Sequence, residues 1–123
     1  MKKQESGFTL IELVMVIVIL GVLSAVALPK FIAVDDNAKQ AAVDGVAGSL
    51  SSASAINYAA RKAGSSGTVA ITNCQDVANA LQSGALPSGY TITSLAVPAG
   101  TTITTCTLTA NSKTANFTAT GIL

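Results

Sequence analysis

The chain has 123 residues, half of them apolar, with a mean hydropathy of +0.56 and a net charge of +1. That is one ordinary domain's length carrying more apolar content than a soluble core of that size absorbs. Charged residues are only 11 %, so no basic face exists to bind nucleic-acid phosphates, and the lack of histidine excludes a Ser-His-Asp triad, a Cys-His pair and a His-based metal site.

Residues 1–7 (MKKQESG) are polar and carry Lys2 and Lys3, whereas Phe8 to Leu28 is apolar apart from Thr9, Glu12, Gly21 and Ser24. As a helix this run spans about 32 Å, enough for the hydrocarbon core of a bilayer. The two lysines would hold the N-terminus in the cytoplasm and leave the remainder outside. Ala25-Val26-Ala27 looks like a small-residue cleavage site, and release there would start the mature chain at Leu28. Glu12 argues against both a conventional signal peptide and a plain anchor. A carboxylate inside an apolar helix is costly and usually persists because it has a partner.

The run Gly7-Phe8-Thr9-Leu10-Ile11-Glu12-Leu13, followed by VMVIVILGVLSAVALP, resembles the N-terminal signature of type IV pilins and their relatives. This match covers about the first 30 residues. It implies that Gly7 ends a leader peptide recognised by prepilin peptidase, and that Phe8 becomes the new, N-methylated N-terminus. It makes Glu12 the acid that pairs, in an apolar filament core, with the Phe8 amine of a neighbouring subunit. Such a pair enforces register more than it adds net stability. The resemblance also implies local unwinding between Gly21 and Pro29 in the filament, where proline removes a backbone donor.

After Pro29, Phe31, Val34, Ala38, Ala42, Val46, Leu50 and Ala53 recur at three- and four-residue spacing, predicting an amphipathic helix to about Lys62 that stops at Gly64. From Phe8 the whole helix would be about 80 Å long. Asp35-Asp36 reads as a solvated helix face rather than a cation site. Beyond Gly64 the composition shifts to Thr, Ser, Gly and Ala. Thr68 to Thr72 is expected as a short strand and Asp76 to Gln82 as a short helix closed by Gly84. Tyr90 to Val97, Thr101 to Ala110 and Lys113 to Thr120 alternate in the period-two pattern of half-buried antiparallel strands, with Asn111-Ser112 as a hairpin turn. The expected fold is α+β: a long helix, transmembrane and then amphipathic, packed on a small antiparallel sheet. Its parts are a leader (1–7), a transmembrane or filament-core helix (8–29), an amphipathic half (30–63) and a β-sheet head (64–123).

Cys74 and Cys106 are the only cysteines. Behind an export-type N-terminus they most simply form one disulfide, the alternative being two buried free thiols. The pairing departs from pilins whose second cysteine lies near the C-terminus. Asn116-Phe117-Thr118 fits a glycosylation pattern but falls inside a predicted strand, and the five aromatic residues are too few for conduction through stacked rings.

Together these features make the chain a structural subunit without catalytic, cofactor or metal site. It would start in the inner membrane and end in an extracellular pilus serving adhesion, motility or DNA uptake. Its partners would be further copies of itself, prepilin peptidase, the assembly machinery and minor pilins. Val34 to Ala41 resembles the post-proline region of mannose-sensitive haemagglutinin-type pilins and of pseudopilins. A type II secretion pseudopilin or a minor pilin is therefore the alternative. The lack of carboxylate side chains after Asp76, where major pseudopilins usually carry calcium ligands, favours the pilin.

Overall fold

The computed structural model describes residues 7–123, which divide into two compact units, one ending at Asp36 and one running from Asn37 to Leu123. The helix α1 (Leu10–Lys62) contributes to both.

In the first unit the apolar side chains of α1 are exposed. Leu10 is 80 % exposed, Val22 62 % and Phe31 72 %. Apolar side chains facing outward on every side are those of a helix whose solvent is lipid or other helices. This segment is long and apolar enough to cross a membrane. The helix runs unbroken through Gly21 and Pro29, so the loosening expected there in a filament is not a feature of the single chain.

In the second unit, α1 ends as its sequence predicts. Gly64 takes φ +84°, and the N–H groups of Gly64 and Ser65 donate to the Arg61 and Ala60 carbonyls. This double closure satisfies carbonyls that the helix itself leaves open. The sheet is a three-stranded antiparallel meander: β1 (Thr91–Ile92), β2 (Thr102–Ala110) and β3 (Lys113–Thr120). Asn111 and Ser112, with φ 51° and 61°, form the two-residue hairpin turn whose left-handed residues match the twist of the strands. A register shift between Ile103 and Cys106 marks a bulge in β2.

Three expected elements differ. Thr68 to Thr72 is not a strand, although Ile71 forms an isolated bridge with Ile122. The predicted strand Tyr90 to Val97 is reduced to Thr91–Ile92 because the chain then leaves β2 for the segment preceding Cys74. The Cys74 N–H donates to the Leu95 carbonyl at 2.9 Å, and the Val97 N–H donates to the Thr72 carbonyl at 2.8 Å. The short helix is 3₁₀ and covers Cys74–Ala80 rather than Asp76 to Gln82. Its start is set by a reciprocal cap. The Asn73 side chain accepts from the Gln75 N–H, and the Asp76 carboxylate accepts from the Thr72 and Asn73 N–H groups.

The buried face of α1 is also rotated by about one residue from the predicted line. It consists of Val43, Ala47, Leu50, Ser54 and Asn57, while Ala42 is exposed. Two polar residues lie on this face because each meets backbone groups, Ser54 at the sheet edge and Asn57 at Val69. β3 is an edge strand, and its Thr118 and Thr120 N–H groups donate to Ser51 Oγ at 3.0 Å and Ser54 Oγ at 2.9 Å. Gln40 Nε2 donates to the Thr114 carbonyl at 2.9 Å, and the Asn57 amide both donates to and accepts from the Val69 backbone. The helix thereby closes an edge that would otherwise offer unpaired backbone to another chain. Beneath it Leu50, Ile71, Val77, Leu108 and Phe117 form the core around the disulfide.

Ser54→Ala removes the acceptor of a part-buried N–H, which costs about 1–3 kcal/mol. We expect lower stability in denaturant titrations and faster exchange of the Thr120 amide, with the Ala110 amide on the inner strand little changed.

Candidate functional site

The candidate site is the start of α1. Leu10 is the first helical residue, Thr9 precedes it as the cap, and Phe8, 86 % exposed, lies just before. The Glu12 carboxylate accepts hydrogen bonds from the Thr9 N–H at 2.8 Å and the Thr9 hydroxyl at 3.0 Å, and the Glu12 N–H donates to Thr9 Oγ1 at 3.3 Å. This is a capping box: residues Ncap and N3 satisfy each other's open backbone donors. A carboxylate in the first turn also opposes the positive end of the helix dipole. Both contacts from Thr9 fall on Oε2, leaving Oε1 turned to neither.

The expected partner of Glu12 lies in another subunit, whereas the contact within the chain is to Thr9. The signal was present as Thr9-x-x-Glu12 ahead of an apolar run. Gly7 is exposed beside Phe8, and Lys2, Lys3 and the rest of the leader before Gly7 lie outside the described residues. Asp35 and Asp36 are exposed, and no group of three or more metal-ligating side chains occurs among the described residues.

Residues 2–28 match the family model described as the prokaryotic N-terminal methylation motif. The chain carries a prokaryotic N-terminal methylation motif. A stretch of 53 residues is 53 % identical to the type IV narrow pilus major component PilA5 of Thermus thermophilus, covering 43 % of this chain and 46 % of that protein. A stretch of 38 residues is 50 % identical to the type II secretion system core protein G of Pseudomonas aeruginosa, covering 31 % of this chain and 27 % of that protein. These matches cover under half the length of each relative. No solved structure matches.

In the second unit Cys74 and Cys106 are bonded, with both residues fully buried and Cα atoms 5.6 Å apart. The link joins the start of the 3₁₀ helix to the middle of β2 across a separation of 32 residues. Closing a loop of that size removes denatured-state entropy worth about 3–4 kcal/mol in the chain-entropy model. A groove of about 1090 Å³ lies between α1 at Gly45, Gly48, Ser52 and Ile56 and the segment around Leu81 and Pro87. Its lining has no acid, base or thiol, so it offers contact area rather than chemistry.

Thr9→Ala deletes one side of the capping box and should cost the helix about 1 kcal/mol at its start. In detergent micelles we expect faster amide exchange at positions 9 to 12 and no change in the head.

Proposed function

We propose that this chain is a structural subunit of a type IV pilus, made as a precursor, cut after Gly7, and polymerised through its N-terminal helix. The methylation motif at residues 2–28, continuous with an apolar helix exposed on all sides, carries this reading. Cleavage by prepilin peptidase would remove Lys2, Lys3 and Glu5 and create an amine on Phe8, which is then N-methylated. The precursor would sit in the inner membrane with the head outside. Assembly would move the helix from lipid into contact with other copies, under machinery and minor pilins encoded elsewhere. The filament would display the disulfide-bonded head for adhesion, motility or DNA uptake, without catalytic activity of its own.

Glu12 has a double role in this account. Thr9 holds Oε2 within the subunit, and Oε1 accepts from the Phe8 amine of a neighbour. An ammonium and a carboxylate brought together away from water are each costly unpaired, so mispositioned subunits are penalised. Gly21 and Pro29 would let the helix loosen between packed neighbours. The similarity to a type II secretion core protein supports a second reading, a pseudopilin in a short secretion filament.

The test combines processing with assembly. In an assembling host, the mature chain should begin at Phe8 in mass spectrometry, and Glu12→Gln should be cut normally but yield about tenfold fewer sheared filaments. A mature chain beginning at Leu28 contradicts the pilus and pseudopilus readings alike. Normal filament yield from Glu12→Gln contradicts the role given to the carboxylate.

A further inference from the structure

The groove between α1 and the segment around Leu81 and Pro87 contains two glycines that packing within the chain does not call for. Gly45 and Gly48 lie inside the helix, where the backbone freedom of glycine makes it a poor choice. A Cβ at either position would meet nothing within 4 Å, so an alanine would fit. Ser52 continues this bare strip one turn further, and Ile56, an exposed large apolar residue, stands at its end. Small side chains at this spacing let another backbone come close to a helix, and the uncovered isoleucine offers it apolar area to bury.

From Gly45 to Ile56 the strip runs about 16 Å along α1. A matching ridge lies on the same helix. Leu23, Val26, Phe31 and Val34 are all more than half exposed and recur at close to helical spacing. A second helix laid parallel and shifted by about 22 residues, roughly 33 Å, fits the ridge to the strip. Leu23 then meets Gly45, Val26 meets Gly48, Phe31 meets Ala53 and Val34 meets Ile56. The same shift brings opposite charges together. At 3.6 residues per turn Asp35 flanks the ridge, and Lys62 flanks the groove on the side that meets it, little more than one turn beyond. Both are exposed. Side chains of a helix lean toward its start, so Lys62 reaches back to the level of Asp35, as in the flanking pairs of parallel coiled coils.

We propose that the groove receives the α1 helix of a second copy, Leu23 to Asp35 of one chain lying along Gly45 to Lys62 of the other. This rests on the pilus reading, because Leu23 and Val26 must leave the membrane to be available. Ridge and groove are different surfaces at different heights of one helix, so the contact is heterologous. A copy that seats its ridge still offers its own groove to the next, and repetition builds an open array rather than a closed dimer. Gly45 and Gly48 set how closely successive copies approach, and the Asp35–Lys62 pair sets the shift between them.

The test uses the full-length chain in an assembling host, scoring each variant for a mature start at Phe8, for the thermal melt of the head and for the yield of sheared filaments. Gly48→Leu fills the strip from the open side. Normal cutting, an undiminished melting temperature and about tenfold fewer filaments are expected. Asp35→Lys and Lys62→Glu should each lower the yield about fivefold, and the two together should return it to within about twofold of the unchanged chain. Full yield from Gly48→Leu or from either single reversal, or no recovery in the pair, overturns the contact and leaves the pilus reading standing. An unchanged chain that is cut at Phe8 but forms no filaments overturns the pilus reading and this contact with it.

Discussion

Glu12 places a charge in the first turn of a helix whose neighbouring side chains are apolar, and the N-terminus is organised around that charge. A carboxylate without hydrogen bonds would be expensive in lipid, and Thr9 supplies two of them from within the same turn. The same contacts satisfy an open backbone donor at the helix start, so one pair of side chains solves two problems. What it does not supply is a counter-charge. Under the proposed reading, a carboxylate that meets no cation among the described residues is suited to association with a partner that brings one.

The head rests on a different constraint. A small sheet with threonine-rich strands has little apolar area to bury, and its outer strand exposes backbone. α1 answers both needs with one face. Val43, Ala47 and Leu50 supply apolar contact, while Ser51, Ser54 and Asn57 extend the hydrogen bonding of β3 and of the segment at Val69. The buried Cys74–Cys106 link then ties the 3₁₀ helix to β2. A head closed in this way has its β3 edge covered by α1 and its 3₁₀ helix tied to β2.

Much of this was legible in the residues. The apolar run, the Gly64 stop, the hairpin at Asn111-Ser112 and strand β3 all follow from local signals: hydropathy, left-handed turn residues and strict alternation. The failures share a cause. Ser54 and Asn57 look like solvent-facing residues until a strand edge is brought to them, so a binary pattern puts the helix face one residue off. Likewise, the alternating run Tyr90 to Val97 predicts one strand, but its second half pairs with the segment at residues 72 to 74, which no local pattern reveals. At the candidate site, Glu12 was visible as an anomaly. The role of Thr9 lies in a short-range Thr-x-x-Glu motif that an apolar setting does not by itself single out.

In the proposed filament the Phe8 amine created by cleavage meets Glu12 of another copy. Zero-length carbodiimide coupling of purified filaments tests this contact most directly, because it joins an amine and a carboxylate only where they already touch. Chains of doubled mass carrying an amide bond between the Phe8 amine and the Glu12 side chain are expected, absent from Glu12→Gln filaments. Coupling confined to single chains, or no Phe8–Glu12 product from intact filaments, would contradict it.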